Sequence, residues 1–229
     1  MLLEQKGRFR ECLRHRWIYI IGDSSLRLFR RELLLFLRHE FNNTSLGLST
    51  DPFGGCGTGL MHCFRENVDL VNGLRVIYSW QTYADHEAAS VPFFVTPHSD
   101  AAETPDLFIF TSGAWDTHDR GPETYDRATD LVITNLEKTL EDYPSALVLA
   151  MTTVACHPYQ YRSLPWNALL RPKLQKINSP RFSVLDREPS TINLSPFSPD
   201  NPASCEGFHP QRDVSLGHLS TLLHAVCLQ

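Results

Sequence analysis

The stretch Trp17-Ile18-Tyr19-Ile20-Ile21-Gly22-Asp23-Ser24-Ser25-Leu26-Arg27 carries the clearest structural signal in this chain. Large residues with high β-propensity run directly into Gly-Asp-Ser, and a helix-like run follows at once. This pattern predicts a buried strand, a tight turn and the start of a helix. Ser24 would then lie at the carboxyl edge of a sheet, where open α/β folds bind ligands, beside helix N–H groups that stabilise an oxyanion. The sequence therefore predicts a nucleophilic serine, provided that a histidine reaches it.

A candidate histidine lies near the other end of the chain, in Ser204-Cys205-Glu206-Gly207-Phe208-His209-Pro210. In a tight turn, a carboxylate three residues before a histidine folds back onto it. One imidazole nitrogen then faces the carboxylate and the other faces the serine. The pattern predicts Ser24 as nucleophile, His209 as general base and Glu206 as the group that orients the base.

Other assignments of these roles stay open at the level of sequence. Ser24 is also a good helix N-cap. His218 and His224 on the last predicted helix are rival bases, and Asp213 is a substitute carboxylate, although five residues on a helix place Asp213 and His218 poorly for contact. Asp23 is predicted to support the turn by hydrogen bonds.

Strand-like segments alternate with helical patterns along the chain. Strands are predicted at residues 17–21, 74–80, 107–111, 146–151 and 182–186, and helices at 25–39, 123–143, 166–177 (interrupted at Pro172) and 214–226. This alternation predicts an α/β fold with a mostly parallel five-stranded sheet and helices on both faces. Residues 42–72 and 188–203 are predicted to be loops. The first is rich in glycine but lacks the Gly-Lys-Ser/Thr of a phosphate-binding loop.

Composition sets bounds on the function. The 229 residues fit one domain, residues 1–229, and 42% hydrophobic with 21% charged content is typical of a globular protein. The net charge of −5 argues against nucleic acid as a partner. No apolar run of about 18 residues is present, so no membrane span is predicted.

The cysteines allow several interpretations. An even count permits disulfides but does not fix their connectivity. A bridge between Cys205 and Cys227 would clamp the His209 turn, and one between Cys56 and Cys63 would close the glycine-rich loop; free thiols in a reducing compartment are the alternative. His62 and Cys63 lack the partners of a four-ligand zinc site, so no metal and no cofactor are predicted.

Taken together, the Ser24 and His209 blocks resemble the SGNH (GDSL) hydrolase superfamily, whose first block carries Gly-Asp-Ser and whose last carries Asp-x-x-His. Arg27 after the serine and Cys12-Leu13 before the strand resemble the PC-esterase branch. That branch includes trichome-birefringence-like polysaccharide O-acetyltransferases, the sialate O-acetyltransferase and the neurexophilin-and-PC-esterase proteins. The resemblance runs from about Cys12 to Cys227 and implies a three-layer α/β/α, flavodoxin-like fold.

The chain departs from the superfamily pattern in places. Glu206 stands where aspartate is usual, and the third block, Gly-x-Asn-Asp, is present as Gly113-Ala114-Trp115-Asp116. The PC-esterase branch often carries this small-Gly-x-aromatic-Asp version. No second-block glycine follows the strand at 74–80, so the oxyanion would depend on the Ser24 N–H and Arg27. Gly113, Trp115 and Asp116 are expected at the same sheet edge, where a tryptophan can stack on a sugar.

The resemblance implies a serine-dependent O-acyl, in particular O-acetyl, esterase or acetyltransferase that acts on a carbohydrate through an acyl-enzyme on Ser24. Its partners would be an acylated carbohydrate or an acyl donor. The alternative is a catalytically silent relative that binds a glycan or a protein. The resemblance also implies the secretory pathway lumen (Golgi) or the extracellular space. Residues 1–6 are too short and too charged for a signal peptide, so a leader is expected to be missing.

Overall fold

The computed structural model describes residues 6–38, 64–69, 73–80, 104–114, 116, 121–156, 160–196, 204–206, 209–210 and 212–227. In strands 64–69, 204–206 and 209–210 it describes the path of the backbone. None of the helices in these ranges combines the length and hydrophobicity that a membrane span requires.

The described helices and strands alternate along much of the chain. The helices are α1 (Lys6–Cys12), α2 (Ser24–Arg38), α3 (Pro122–Asp142), α4 (Gln160–Leu174), α5 (Glu188–Thr191) and α6 (Arg212–Cys227). The strands are β1 (Trp17–Gly22), β2 (Phe64–Asp69), β3 (Leu74–Trp80), β4 (Leu107–Thr111), β5 (Leu147–Met151), β6 (Phe182–Leu185), β7 (Ser195–Pro196), β8 (Ser204–Glu206) and β9 (His209–Pro210).

The central sheet has the strand order β2-β3-β1-β4-β5-β6. Strands β3, β1, β4, β5 and β6 are parallel to one another, as predicted. Numbered among themselves in chain order, these five strands read 2-1-3-4-5, which is the flavodoxin-like order. Strands β7, β8 and β9 form a separate small sheet.

Strand β2 lies inside residues 42–72, so the prediction that this whole segment is a loop is wrong. Residues Phe64–Asp69 pair antiparallel with β3 and add a sixth strand at the edge of the sheet. Its sequence, Phe-Arg-Glu-Asn-Val-Asp, has neither an apolar run nor a clean alternation. Pairing with β3, and not intrinsic preference, therefore makes this segment a strand.

Both faces of the sheet are covered by helices, which confirms the three-layer prediction. On β1, Ile18 and Ile20 belong to one apolar cluster together with residues of α1, α2 and α6. Trp17, Tyr19 and Ile21 belong to a second cluster together with residues of α3 and α4. Every residue of β1 is buried, as expected for a parallel strand between two helical layers.

Two other predictions are corrected by the structure. Helix α4 begins at Gln160, six residues before the predicted start, and contains both Pro165 and Pro172. Buried packing of Trp166 and Leu170 offsets the cost of the prolines. The predicted loop at 188–203 contains the one-turn helix α5 and strand β7.

A disulfide joins the first and the last described helix. Cys12, the last residue of α1, is bonded to Cys227, the last residue of α6, with a Cα–Cα distance of 5.7 Å. The suggested Cys205–Cys227 bridge is therefore wrong, because Cys227 has a different partner. Cys156 is also disulfide-bonded, so free thiols are excluded for these three cysteines.

Candidate active site

The turn between β1 and α2 depends on Gly22, which has a φ of +155°. A Cβ atom on Gly22 would lie 2.7 Å from the carbonyl oxygen of Thr111 and 2.9 Å from the Cγ2 atom of the same residue. No side chain fits there without a shift of the β4 backbone. Glycine therefore allows the turn to lie directly against the carboxyl end of β4.

Ser24 is the first residue of α2 and is half-buried at the carboxyl end of β1. Arg27 lies one turn further along the helix, also half-buried, and its N–H donates to the Asp23 carbonyl at 3.2 Å. The N–H groups at the N-terminus of this 15-residue helix carry a partial positive charge. The predicted strand, turn and helix are confirmed, whereas the catalytic roles of Ser24 and Arg27 stay predictions.

Buried hydrogen bonds hold the Ser24 turn from below. The Asp23 Oδ1 atom accepts two hydrogen bonds from Ser25, one from the backbone N–H at 2.8 Å and one from the hydroxyl at 2.7 Å. The Tyr78 hydroxyl, on β3, lies 3.1 Å from the Gly22 carbonyl oxygen and 2.9 Å from that of Asp23. The prediction that Asp23 supports the turn by hydrogen bonds is confirmed.

Arg187, two residues beyond β6, lies under this turn and is only 2% exposed. Its Nη1 atom donates to the Ser25 hydroxyl at 3.3 Å, Nη2 to the Thr111 hydroxyl at 2.8 Å and Nε to the Thr152 carbonyl at 2.7 Å. Burial lowers the pKa of Arg187 from its usual range to about 10, while the charge of Asp23 acts in the opposite direction. The guanidinium is therefore charged at neutral pH inside the protein.

The third block follows β4 directly, beside the Ser24 turn. Gly113 has a φ of +117°, and a Cβ atom there would lie 2.1 Å from Nε1 of Trp166 and 2.6 Å from Oγ1 of Thr153. Asp116 is buried and accepts the Ser112 hydroxyl at 3.2 Å. Both residues thus have structural reasons for their identity, and their contact with a substrate stays a prediction. Trp115 lies outside the described residues.

Glu206 and His209 are paired directly opposite one another in the antiparallel ladder of β8 and β9. The backbone therefore runs in opposite directions at Glu206 and at His209, as the predicted turn requires. Strand β9 also contacts α2, the helix that begins at Ser24. The side chains of Glu206, His209 and Asp213 lie outside the described part of the structure.

The two rival histidines lie in structural positions on α6. His218 is 6% exposed, and its Nε2 atom lies 2.7 Å from the Ser190 hydroxyl. Burial, with the nearby charge of Arg187, lowers the pKa of His218 from 6.5 to about 3. The Nδ1 atom of His224 lies 2.7 Å from the carbonyl oxygen of Ser220 on its own helix. A histidine with such a low pKa is a poor proton acceptor near neutral pH, so His218 is a weak rival, and the role of His209 stays a prediction.

A second polar cluster follows β5 and β6 at the same edge. Asp186 accepts bonds from Arg171 at 2.9 Å and from the Thr152 hydroxyl at 2.8 Å. Burial alone would raise the pKa of Asp186, but the hydrogen bonds from Arg171 and Thr152 lower it overall. Within the described ranges, no group of three or more His, Cys, Asp or Glu residues could hold a metal ion.

Sequence reasoning missed Arg187, Thr111, Thr152 and Tyr78, which connect the strand ends. The only signal was positional, because polar residues that directly follow predicted parallel strands gather at one edge of the sheet. The amino-acid sequence around Arg187 does not indicate that this arginine is buried.

No protein-family model matches the chain, and no curated protein matches it. Solved structures do match in fold. The carbohydrate esterase family 3 structure from Talaromyces cellulolyticus has a TM-score of 0.52 at 13% identity, over 92% of this chain and 98% of that chain. The chain thus shares the three-layer α/β/α fold of this carbohydrate esterase structure.

Two longer structures are also similar. A carbohydrate esterase family 2 enzyme with a carbohydrate-binding domain from Corynascus thermopiles (Myceliophthora fergusii) has a TM-score of 0.48 at 14% identity, over 93% of this chain. A family two carbohydrate esterase from Cellvibrio japonicus has a TM-score of 0.48 at 12% identity, over 94% of this chain. The chain spans 66% and 62% of the lengths of these two proteins.

Proposed function

We propose that this protein is a serine-dependent esterase that removes O-acyl groups, O-acetyl groups in particular, from a carbohydrate, or an acetyltransferase that moves them. The observation that carries the proposal is the position of Ser24. It begins a 15-residue helix at the carboxyl end of a parallel strand, in a turn fixed by buried hydrogen bonds. A half-buried hydroxyl in that position combines access with a fixed geometry and a positive helix end.

In the proposed first step, the Ser24 Oγ atom attacks the acyl carbonyl carbon while His209 takes the hydroxyl proton. Glu206 keeps the imidazole oriented and stabilises its positive charge. The Ser24 N–H and the Arg27 guanidinium hold the oxyanion of the tetrahedral intermediate. Collapse breaks the bond to the sugar oxygen, which receives the proton from His209 and leaves as an alcohol.

The second step returns Ser24 to its free form. His209 takes a proton from the incoming oxygen, which attacks the acyl-Ser24 carbonyl, and then returns that proton to the departing Ser24 oxygen. Attack by water releases a carboxylic acid, whereas attack by a sugar hydroxyl produces a new ester. The two outcomes differ only in what excludes water from the acyl-enzyme.

The assignment of His209 as base is supported by backbone geometry and by the burial of its rival His218. The pairing of Glu206 with His209 places the carboxylate-bearing residue opposite the imidazole-bearing one, and β9 contacts the Ser24 helix. His218 is buried, with a pKa of about 3, and therefore unsuited to the role.

The choice of a carbohydrate ester as substrate rests on the PC-esterase resemblance, with Gly113, Trp115 and Asp116 as candidate lining residues. It is also consistent with the carbohydrate esterase fold neighbour. The Cys12–Cys227 disulfide supports an oxidising compartment, and hence the secretory pathway or extracellular space. We further propose that residues 1–229 form a single domain.

The test is covalent labelling of the purified protein by a fluorophosphonate probe. We expect Ser24→Ala and His209→Ala to slow labelling by about 10⁴-fold or more, as for other serine–histidine pairs. Ser220→Ala and His224→Gln, a hydrogen-bonded serine and histidine on α6, are matched controls expected to label at the wild-type rate.

Failure of the folded wild type to label would overturn the catalytic proposal. It would favour the silent relative, whose glycan binding would then be measured directly. If labelling succeeds, acetylated oligosaccharides with ¹³C in the acetyl group would be supplied next. Free labelled acetate indicates hydrolysis, and labelled acetyl groups on an added acceptor sugar indicate transfer.

A further inference from the structure

We propose that Arg187 is a positioning residue that fixes the Ser24 turn relative to the helix that follows His209. The proposal rests on the proposed function, because it concerns how the nucleophile and the base are held in register. Arg187 does not face a substrate, since it is almost fully buried. It acts through the groups that it bonds.

Arg187 is connected to the Ser24 turn through the hydroxyl of Ser25. Its Nη1 atom donates to the Ser25 hydroxyl at 3.3 Å, and that hydroxyl donates to Asp23 Oδ1 at 2.7 Å. The residues on either side of Ser24 are thus connected to one buried cation. Because Asp23 is also buried, its carboxylate and the guanidinium compensate each other through the Ser25 hydroxyl.

The same guanidinium fixes two strand ends. It donates to the Thr111 hydroxyl at the end of β4 and to the Thr152 carbonyl just after β5, at 2.8 Å and 2.7 Å. The Arg187 N–H also donates to the Thr152 hydroxyl, at 2.8 Å. A planar guanidinium holds its N–H groups on three nitrogens in a fixed fork and so reaches three separated acceptors, whereas the donors of a lysine all radiate from one nitrogen.

The Arg187 backbone is connected to helix α6 through the hydroxyl of Ser190. The Ser190 hydroxyl donates to the Arg187 carbonyl at 2.9 Å and lies 2.7 Å from Nε2 of His218. Because Ser190 has only one hydroxyl proton, we assign the proton on His218 to Nε2, which donates to Ser190. His218 belongs to α6, whose first residue follows β9 closely. One residue therefore connects the proposed nucleophile turn to the helix that anchors the proposed base.

Arg181 provides a matched control on the other side of β6. It precedes that strand by one residue, and it donates to the carbonyls of Leu140, Tyr143 and Ala146 at 2.7, 2.8 and 3.2 Å. Like Arg187, it bonds three groups through its guanidinium, but all three are backbone carbonyls, and the half-buried Arg181 lies at the amino edge of the sheet. A stability effect alone would appear in variants of either arginine, whereas a positioning effect would appear only in variants of Arg187.

The experiment compares Arg187→Lys, Arg187→Met, Ser25→Ala and Arg181→Lys with the wild type. Each protein is tested for its thermal midpoint, its saturation kinetics with the fluorophosphonate probe, and hydrogen exchange in peptides covering residues 18–29 and 212–224. We expect the maximal labelling rate to fall about 10- to 100-fold in Arg187→Lys and Ser25→Ala, since a shift of about 1 Å has that cost. Arg187→Met should be slower still.

The contacts of Arg187 and Arg181 also predict which quantities stay unchanged in the variants. The probe concentration at half-maximal rate stays within about twofold in all variants, because Arg187 does not contact the probe. Arg181→Lys lowers the thermal midpoint but labels within about twofold of the wild-type rate. Exchange rises in both peptides for the Arg187 variants and in neither for Arg181→Lys.

A folded Arg187→Lys that labels at the wild-type rate would overturn the proposal, as would an equal loss of labelling in Arg181→Lys. If the arginine variants do not fold, the labelling rate of Ser25→Ala decides whether the proposal holds. This variant removes only the hydroxyl that bonds both Arg187 and Asp23. If the wild type itself does not label, the proposed function fails. Hydrogen exchange then tests the positioning role of Arg187 independently of labelling. Unchanged protection of residues 18–29 in Arg187→Lys would refute that role, and increased exchange in these residues would support it.

Discussion

The two edges of the central sheet carry similar polar side chains in opposite surroundings. At the amino edge, Asp106 accepts the N–H of Trp17 at 2.7 Å and pairs with Arg16 at 3.1 Å, with the Arg16 and Asp106 side chains 52% and 34% exposed. At the carboxyl edge, Asp23 and Arg187 are each 2% exposed. Exposed polar groups can exchange partners with water, whereas buried groups lose free energy unless they are bonded. Order at the carboxyl edge is therefore imposed by the protein, as a preorganised site requires.

The closest packing at the carboxyl edge predicts the largest loss of stability. In Gly113→Ala, the added Cβ meets the indole of Trp166 at 2.1 Å, and φ is +117°. We expect the free energy of unfolding to fall by about 5 kcal/mol, from backbone strain and overpacking together. Chemical denaturation measures this, with Gly217→Ala as control. Gly217 lies inside α6 with nothing within 4 Å of an added Cβ, so alanine there should stabilise by about 0.5–1 kcal/mol. Equal effects of the two changes would contradict the packing difference.

The charge contrast between the edges predicts unequal effects of the same substitution. Asp23→Asn leaves the buried Arg187 charge without its compensating carboxylate and should lower the free energy of unfolding by about 4 kcal/mol. Asp106→Asn keeps an acceptor for the Trp17 N–H and loses an exposed ion pair, so less than about 1 kcal/mol is expected. Urea titrations of both variants measure the difference. A loss from Asp106→Asn as large as that from Asp23→Asn would show that burial does not distinguish the edges.

The disulfide predicts a loss of stability without a loss of serine reactivity. Cys12 ends α1 shortly before β1, and the bridge to Cys227 spans a sequence separation of 215 residues. Replacement of both cysteines by serine should lower the free energy of unfolding by about 3 kcal/mol. At a temperature where the variant is folded, fluorophosphonate labelling of Ser24 should stay within about twofold of the wild-type rate. A loss of labelling in the folded variant would mean that the amino edge also controls the site.

Acid should weaken the protein through His218. Burial, together with the Arg187 charge, lowers its pKa from 6.5 to about 3 in the folded state. The unfolded chain therefore binds a proton first, so stability that is complete above about pH 6.5 is lost as the pH falls towards 3. The expected loss is about 1.4 kcal/mol per pH unit, or about 2 kcal/mol at pH 5. His218→Gln should remove this dependence, and His224→Gln should not. Parallel pH profiles of the free energy of unfolding for the wild type and His218→Gln would refute the role of His218 in the loss of stability at low pH.

Much of the fold follows from the sequence because the central parallel strands β1 and β4 are buried on both faces. Such strands read as apolar runs, and the predicted segments at 17–21 and 107–111 match Trp17–Gly22 and Leu107–Thr111 within one residue. The helix predicted at 25–39 is found at Ser24–Arg38. Strand β2 was missed because its residues lack that pattern and depend on pairing with β3.

The candidate site was only partly predictable. The strand and glycine before Ser24, and the spacing of Glu206 and His209, are local patterns that the backbone follows. The bonds of Arg187 join Ser25, Thr111 and Thr152, at separations of 162, 76 and 35 residues. Local patterns contain no information about such pairings, because they exist only after the sheet has assembled.

The Cys12–Cys227 bond turns nearly the whole polypeptide into a covalent ring. A single cut by a protease anywhere between these two cysteines opens the ring without releasing a fragment. Cleaved protein would therefore run near its full mass on a denaturing gel without reductant, and as two bands once the bond is reduced.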